Sequence, residues 1–391
     1  CIRDRGYTAV IDSFKAYADG NKIVYASDCD STKDKYAVKV SLADSDGTAV
    51  GTEQTNATGS FDNLEAGKYK ITATLSDGTT EKKKVEKTIN IKNLDDMSAY
   101  LFVHFVDTQE DATREQIYFS VSKDGKTWTT LNNKQPYLTS NVGTQGVRDP
   151  YILRGEDGKF FIIATDLSVY NLKNNWTAAA QQGSKSIVVW ESSDLVNWSE
   201  ASLVKINNDN AGCTWAPEAC YDPEKDEYMV FWASVVSDDS YQKYRIYRSY
   251  TKDFKTFSAP ELYIEEPNAV IDTTIIDHEG TYYRFTKNEA KSSITMQECT
   301  SLSGDWKDVA NYNLGSMTGY EGPTIYKLNG KNEWCLLLDY FSKSKGYKPF
   351  VTTDITKGEF TADSDFSFDG TYRHGTVMPI TQAEYESLTA E

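Results

Sequence analysis

Four short motifs between residues 149 and 325 each place a carboxylic acid at or near the start of an apolar segment. They are Asp149-Pro-Tyr-Ile152, Trp215-Ala-Pro-Glu218, Asp272-Thr-Thr-Ile275 and Glu321-Gly-Pro-Thr-Ile325, and their first residues lie 66, 57 and 49 positions apart. Carboxylates that share one site repel each other and lose hydration, so a protein keeps such a group where shifted pKa values serve proton transfer. One carboxylate that activates water and a second that protonates a leaving oxygen, about 6.5–9.5 Å apart, would hydrolyse a glycosidic bond with inversion.

Each motif taken alone has a simpler explanation. Asp149 before a proline is typical of a turn that starts a strand. Asp272 and Glu321 can likewise begin strands without any chemical role. The regular recurrence of the acids is what favours a shared site.

The acids recur within a longer repeat that begins at Tyr100. Polar turns end in aromatic residues 70, 59 and 49 positions apart, at Trp128, Trp198, Phe257 and Trp306. Periods near 50 with several strands per unit are typical of β-propeller blades. The five units cover residues 100–140, 149–205, 215–263, 272–310 and 321–360, and Tyr372–Thr381 is predicted to close the ring. Innermost strands line one channel, so we expect the residues that start them to converge at one end.

The first part of the chain has a different pattern. Short strand candidates at Ile23–Tyr25, Tyr36–Leu42, Lys68–Leu75 and Val85–Ile91 alternate with turn signals such as Asp77-Gly78. This pattern predicts a small β-sandwich over residues 1–95, similar to immunoglobulin-like modules. The segment holds no Trp and no His, so we expect an accessory role, with sugar binding as the alternative. A junction at Lys92–Ser98 would lead into a second domain over residues 98–391, giving an all-β chain.

Composition limits the classes of partner. Lys and Arg number 41 against 58 Asp and Glu, a net charge of −17, which argues against nucleic acid because phosphate binding needs a basic face. No run of about 18 apolar residues exists, so no membrane-spanning helix is expected. The 26 Tyr, 16 Phe and 8 Trp suit either stacking on sugar rings or an aromatic β core. We expect a monomer.

The cysteines indicate no metal site. The six are far apart without a Cys-x-x-Cys pair, and only three His are present, so zinc is not expected. Cys213 and Cys220 could pair across a short loop, but free thiols are the preferred prediction. Cys1 resembles the mature end of a bacterial lipoprotein, which predicts a secreted, periplasmic or lipid-anchored protein. An arbitrary boundary at this position explains the same residue equally well.

The ordered motifs resemble glycoside hydrolase family 43 over roughly residues 98–381. The resemblance rests on Gly146-Val-Arg-Asp-Pro-Tyr-Ile152, Trp215-Ala-Pro-Glu218, Asn268-Ala-Val-Ile-Asp-Thr-Thr-Ile275, Tyr320-Glu-Gly-Pro-Thr-Ile325 and Arg373-His-Gly-Thr-Val377. It implies a five-bladed propeller and an inverting mechanism.

Carried over by motif, the resemblance implies that Asp149 is the general base and Glu321 the general acid. Asp272 is then the acid that modulates the pKa of the donor and positions it. His374 resembles a central histidine that helps to hold a metal ion or a water cluster, which implies a structural Ca²⁺ and no other cofactor. The family usually has Asp where this chain has Glu218, so Glu218 is either a structural support or an alternative acid.

Further candidates for sugar binding lie near these motifs, and each has a structural alternative. Arg148 could bind a hydroxyl or pair with an acid, and Trp215 could form a subsite wall or pack between blades. Glu218 is a further candidate. The remaining candidates are Asp166, Tyr320 and Arg284.

The resemblance favours a plant oligo- or polysaccharide as the partner. The Gly-Val-Arg-Asp-Pro-Tyr-Ile form is most similar to arabinofuranosidases, so we expect an exo-acting α-L-arabinofuranosidase on polysaccharide side chains. A β-xylosidase or galactofuranosidase is the alternative within the family. A non-catalytic glycan-binding propeller is the alternative from another class.

Overall fold

The computed structural model describes residues 11–29, 37–76, 81–91, 97–106 and 111–390 of the chain. Cys1, the Asp77-Gly78 turn and most of the Lys92–Ser98 junction lie outside these residues. Met97 and Ser98 already belong to a strand, so the junction ends earlier than predicted. The described part is built almost wholly of strands, as the sequence predicts.

The first six strands form two three-stranded sheets. Their bounds are β1 Ile11–Asp19, β2 Lys22–Cys29, β3 Ala37–Asp44, β4 Thr58–Phe61, β5 Gly67–Ser76 and β6 Glu81–Ile91. One sheet has the order β1-β2-β4 and the other β3-β5-β6. Alternate residues of β3, such as Val38, Val40 and Leu42, are buried and share one hydrophobic core with residues of the other sheet. Strands β2, β3, β5 and β6 match predicted strands, whereas β1 and β4 were not predicted.

The described residues from Met97 onward form five further sheets. The strands are β7 Met97–Phe105, β8 Tyr118–Ser122, β9 Thr127–Thr130, β10 Val147–Arg154, β11 Phe160–Asp166, β12 Ser186–Ser192, β13 Ser202–Lys205, β14 Trp215–Asp222, β15 Glu227–Ser234, β16 Arg245–Thr251, β17 Glu261–Ile264, β18 Val270–His278, β19 Thr281–Asn288, β20 Ser293–Cys299, β21 Lys307–Asp308, β22 Glu321–Lys327, β23 Trp334–Asp339, β24 Tyr347–Thr352, β25 Thr361–Ala362, β26 Ser367–Phe368 and β27 Arg373–Thr381. Four sheets take four consecutive strands each, β10–β13, β14–β17, β18–β21 and β22–β25. The fifth has the order β26-β9-β8-β7-β27.

Helices are short in the described part of the chain. The α-helices are α1 Trp176–Gln181 and α2 Gln382–Thr389, and α2 begins with a capping box between Thr381 and Glu384. Single 3₁₀ turns lie at Ala112–Arg114, Asn132–Lys134, Ser237–Asp239, Phe341–Lys343 and Ile355–Lys357. None of these helices is long and apolar enough to cross a bilayer.

One end strand of each of these five sheets is its first strand, and the strand paired with it is its second strand. The first strands are β10, β14, β18, β22 and, in the fifth sheet, β27. They contact one another in cyclic order. Strand β27 pairs antiparallel with β7, with Arg373 opposite Phe105, so the end of the chain completes the sheet that β7 begins. The segment predicted to close the ring is therefore this strand. Large apolar residues of successive sheets fill the space between them.

Every first strand is irregular close to its start. The pairing register shifts between Arg148 and Tyr151, Trp215 and Glu218, Ile271 and Thr273, Glu321 and Thr324, and Arg373 and Thr376. Four of these bulges hold a residue with positive φ, at Asp149 (49°), Ala216 (47°), Asp272 (50°) and Gly322 (50°). Aspartate tolerates this region better than most residues, and a bulge turns a side chain away from the regular alternation of a strand.

The polar turns predicted from the repeat are real hydrogen-bonded turns in three cases. Ser122, Ser192 and Thr251 each accept a backbone N–H three residues later, and an aspartate two residues later accepts further N–H groups. The turn after Thr352 is similar and was missed. Ser303–Trp306 does not repeat this arrangement.

The two small sheets contact the larger part of the chain directly. Lys68 forms an ion pair with Asp226, and the Lys15 ammonium donates to the Thr281 hydroxyl over 3.1 Å. A cavity of about 270 Å³ lies between the two parts. Cys213 and Cys220 are free thiols, as preferred, and so are Cys299 and Cys335.

Candidate active site

A cavity of about 250 Å³ lies where the first strands begin. It brings together Asp149, Asp272, Glu321 and His374, which come from four different sheets. Its lining comprises Arg148, Asp149, Leu167, Trp176, Trp215, Tyr244, Ile271, Asp272, Lys287, Glu289, Glu321 and His374. The convergence expected from the repeat is therefore present.

Two successive positions of each first strand supply most of this site. The outer position is the last residue paired before the bulge, and it holds Arg148, Trp215, Ile271, Glu321 and Arg373. The inner position follows it and holds Asp149, Ala216, Asp272, Gly322 and His374. Second strands support this layer, because the cross-strand partners of the outer residues are Thr165, Ala233, Lys287, Asp339 and Phe105.

His374 lies between two carboxylates. Its Nδ1 is 3.4 Å from Oδ1 of Asp149 and 3.9 Å from Oδ1 of Asp272, and the residue is only 6% exposed. Burial opposes its charge, but Asp272 and Asp149 outweigh burial and raise the pKa of His374 to about 9. The ring packs against Gly322, where an added Cβ would approach Cγ of His374 to 2.7 Å. Glycine is thus required there both by space and by its positive φ.

Asp149 is held in its charged form. Burial would raise its pKa, but the His374 hydrogen bond and the charges of His374 and Arg148 prevail, so the pKa is lowered. The Thr165 hydroxyl donates to Oδ2 of Asp149 over 2.9 Å. The same hydroxyl accepts the Ala216 N–H over 2.8 Å, which fixes its direction. A charged, oriented carboxylate can act as a base.

Asp272 has the opposite tendency. Burial, opposed by His374 but reinforced by the charges of Glu321 and Asp149, raises its pKa to about 6. Its Oδ2 accepts the backbone N–H of Gly322 over 3.0 Å. Asp272 is thereby joined to the strand that carries Glu321.

Glu321 is positioned by two cations. Lys287 Nζ lies 2.9 Å from its Oε2, and Arg373 Nη2 lies 3.3 Å from its Oε1. Lys287 also pairs with Glu289, and Arg373 with the buried Asp339. Both carboxylate oxygens of Glu321 therefore have a defined orientation beside the cavity.

Glu218 lies outside the cavity lining and is buried. Burial raises its pKa to about 8, against the effects of His374 and a hydrogen bond with Thr274. Its Oε2 has no hydrogen-bond partner among the described residues. This position supports a structural part for Glu218 better than that of a proton donor to substrate.

Two predicted sugar-binding residues line the cavity. Trp215 stacks on Tyr244 with ring centroids 5.4 Å apart. Arg148 pairs with the fully buried Glu115 over 3.1 Å, which confirms the predicted ion pair with an acid. Arg148 also lines the cavity, and its binding of a sugar hydroxyl stays a prediction.

The structure places three other predicted residues elsewhere. Asp166 pairs with Val147, one register position outside the layer, and accepts the N–H and hydroxyl of Thr144. Tyr320 stacks on Tyr340 at 4.5 Å. Arg284 lies over Trp306 and donates to Gln297.

The residues around His374 do not fit the expected calcium site. Ca²⁺ takes six to eight oxygen ligands, and a histidine that binds any metal must offer a free nitrogen lone pair. His374 turns its Nδ1 toward the carboxylates of Asp149 and Asp272, and a nitrogen ligand does not match the oxygen ligands that Ca²⁺ takes. The described part of the chain holds no group of three or more His, Cys, Asp or Glu residues arranged to hold a metal ion.

Several residues of the site escaped the sequence analysis. Arg373 stood within a quoted motif beside His374, so its position carried a signal that went unused. Asp339 ends a second strand and pairs opposite Glu321. Lys287 pairs opposite Ile271 and reaches Glu321 from the neighbouring sheet, so only the register and the contact between sheets reveal these two residues. Trp176 belongs to the segment between β11 and β12, where no motif marks it.

Comparison with known proteins shows the family of this chain. Residues 95–386 match the model of a family described as a probable glycosyl hydrolase domain and related to glycoside hydrolase family 43. An α-L-arabinofuranosidase of Bifidobacterium longum subsp. longum is 30% identical over 385 residues, which cover 85% of this chain and 35% of that protein. The chain thus spans about a third of this relative.

Solved structures show weaker similarity. An α-L-arabinanase of Cellvibrio cellulosa has 14% identity and a TM-score of 0.48, covering 71% of this chain and 95% of that one. A thermostable family 43 glycoside hydrolase has 20% identity and a TM-score of 0.43, covering 60% and 77%. Similarity at this level assigns no activity. The match over residues 95–386 is what decides, and the chain belongs to the family of probable glycosyl hydrolase domains related to glycoside hydrolase family 43.

Proposed function

We propose that this chain hydrolyses glycosidic bonds with inversion, with Asp149 as general base, Glu321 as general acid and Asp272 as the acid that modulates and positions the donor. The observation that carries the proposal is the meeting of three acids from separate sheets in one small cavity around His374. A binding protein gains nothing from crowding carboxylates in this way, whereas proton transfer requires it.

Each residue has a definite part in the proposed reaction. Asp149, charged and held by Thr165 and His374, takes a proton from the water that attacks the anomeric carbon. Glu321 starts the step protonated and gives its proton to the leaving oxygen, and Lys287 and Arg373 hold the carboxylate that this transfer leaves. His374 keeps the carboxylates of Asp149 and Asp272 at a fixed distance. General acid and base catalysis of this kind contributes about 10²–10⁴ per group.

We propose that the five sheets are the blades of a five-bladed β-propeller over residues 98–391. The cyclic contacts of the first strands and the closing strand β27 support this assignment. We propose that residues 1–95 form an immunoglobulin-like β-sandwich module. Its two sheets share a core of their own, and neither contains a strand from the later part of the chain.

The proposed substrate is a terminal α-L-arabinofuranoside on a plant polysaccharide. The arabinofuranosidase with 30% identity supports this sugar. The small volume of the cavity supports removal of one residue at a time, because pockets that enclose drug-sized ligands occupy roughly 300–1,000 Å³.

The test is hydrolysis of 4-nitrophenyl α-L-arabinofuranoside, β-D-xyloside and β-D-galactofuranoside by the wild type and by Asp149→Asn, with arabinan and arabinoxylan as polymers. We expect the arabinofuranoside to be cleaved, the variant to be inactive, and proton NMR to show an inverted anomer as first product. Preference for the xyloside or galactofuranoside would overturn the proposed sugar. Failure on every substrate would favour a non-catalytic glycan-binding propeller.

A further inference from the structure

Trp176 is a large apolar side chain left open at the edge of the cavity. It is 44% exposed, whereas Trp128, Trp190, Trp232 and Trp334 are almost fully buried. It lines the cavity together with Trp215. An exposed indole contributes little to a core, and an exposed aromatic next to a binding cavity is typical of a ligand contact.

The indole of Trp176 is held in a fixed place. The Arg148 guanidinium lies 5.3 Å from the ring centroid of Trp176 and 4.4 Å from that of Phe105, so the cation contacts both rings. Trp176 also meets Trp215 edge to face, with centroids 6.2 Å apart. One face of the ring system is therefore supported by protein before any ligand arrives.

Buried Glu115 fixes the segment that carries this tryptophan. Besides Arg148, its carboxylate accepts the Ser168 hydroxyl and the backbone N–H groups of Val169 and Tyr170. Charge-assisted bonds of this kind are stronger than neutral ones. The segment between β11 and β12 is thus tied to a residue of the cavity wall.

We propose that Trp176 is a stacking platform for a second sugar ring, the one joined to the residue that is cleaved. This inference rests on the proposed function and deepens it, because it makes the substrate an oligo- or polysaccharide rather than a small glycoside. The cavity of about 250 Å³ has room for about one ring, so the next ring of a chain must lie at its edge. The indole at that edge offers the flat apolar face on which a pyranose or furanose ring packs.

Tyr170 provides a matched control. It is 42% exposed and belongs to the same segment, yet it is not part of the cavity lining. Its link to Glu115 runs through the backbone N–H, so Tyr170→Ala leaves that bond in place.

The kinetic test compares an arabinotriose with α-L-arabinofuranosyl fluoride, whose leaving group places no sugar at the edge. We expect Trp176→Ala to lower the ratio of kcat/KM on arabinotriose to kcat/KM on the fluoride by on the order of tenfold, the size of one aromatic contact. Trp176→Phe should restore most of the ratio, and Tyr170→Ala should leave it near the wild-type value. An equal loss on both substrates, or equal ratios for Trp176→Ala and Tyr170→Ala, would overturn the proposal.

A binding test separates this inference from the proposed function. In the Asp149→Asn background, calorimetric titration with arabinotriose should show roughly tenfold weaker affinity for Trp176→Ala than for Tyr170→Ala. If Trp176→Ala binds more weakly but the wild type cleaves no glycoside, the proposed function is wrong and the stacking role of Trp176 stands. Equal affinities of the two variants for arabinotriose would contradict the stacking role, whether or not the wild type is active.

Discussion

The bulges at Asp149 and Asp272 have the same backbone geometry, but the pKa values of the two carboxyl groups shift in opposite directions. Both aspartates follow the last paired residue of a first strand, with φ of 49° and 50°, and both face His374. Yet the pKa of Asp149 is lowered and that of Asp272 is raised to about 6. The position in the repeat brings the carboxylate to the cavity but does not decide its protonation.

The neighbours decide it instead. Asp149 has the Thr165 hydroxyl as donor and Arg148 as a nearby charge, and its side chain is 15% exposed. Asp272 is 9% exposed and has Glu321 as a like charge. Two acids with pKa values pushed apart by their surroundings are what a division between base and modulator requires.

Removing each carboxylate should separate the two roles most strongly. We expect Asp149→Asn to lower kcat on an activated arabinofuranoside by about 10⁴ and Asp272→Asn by about 10², because only the former loses the group that takes the proton. Both amides keep the shape of the residue, so the thermal midpoints of unfolding should stay within a few degrees of wild type. The reverse order of the two losses would contradict the assigned roles.

Removing the cation that both acids share should change the pH profile. In His374→Gln, Asp149 loses the partner that lowers its pKa, so the pKa of the base rises. The acidic limb of kcat/KM reports the base of the free enzyme and should move to higher pH, by about one unit. An acidic limb at the wild-type position would show that His374 does not govern Asp149. The circular dichroism spectrum at each pH guards against loss of the fold.

Glu218 shows the effect of burial on the pKa of a carboxyl group that does not line the cavity. Its folded pKa is about 8, above the ordinary 4.5, so the folded state keeps a proton that the unfolded state loses between those values. Its contribution to stability is therefore complete below pH 4.5 and is lost as the pH rises through 8, at no more than about 1.4 kcal/mol per unit. Glu218→Gln should flatten the fall of the unfolding free energy between pH 5 and 8. His374 and Asp272, whose pKa values are also raised, act with the same sign, so part of the slope should remain.

The control for that experiment is Glu359→Gln at an exposed position. It should reproduce the wild-type slope in urea titrations at each pH. An unchanged slope in Glu218→Gln would mean that Glu218 is ionised in the folded protein.

The sequence was sufficient for the strand-rich repeat, although β1 and β4 were missed, and it was insufficient for the pairing register. The recurrence of acids at strand starts indicated that Asp149, Asp272 and Glu321 converge, because strands that start together around a ring bring distant residues to one end. It could not reveal the bulge that shifts the pairing by a residue. Asp166 and Asp339 both end second strands. Only Asp339 pairs opposite an outer-position residue, Glu321, and it also forms an ion pair with Arg373.

Other parts of the site depend on contacts that leave no local pattern. Glu115 lies in a stretch without motifs, and its importance follows only from the Arg148 guanidinium and backbone N–H groups that fold onto it. The cations around Glu321 are similar, since Lys287 and Arg373 come from different sheets.

The smallest expected effects come from two adjacent residues of β11. Thr165 pairs opposite the outer-position residue Arg148, and Asp166 pairs opposite Val147, one position further out. Thr165→Val removes the donor to Oδ2 of Asp149 and should raise the pKa of that base, so kcat/KM near pH 5 should fall severalfold while the plateau changes little. Asp166→Asn weakens the bonds to Thr144 and should cost about 1–2 kcal/mol of unfolding free energy, with kcat within about twofold of wild type. Chemical denaturation and pH–rate profiles of the two variants measure both quantities. If Asp166→Asn also moved the acidic limb of the pH–rate profile, Asp166 would act on the base itself, and the prediction that it only supports the fold would be wrong.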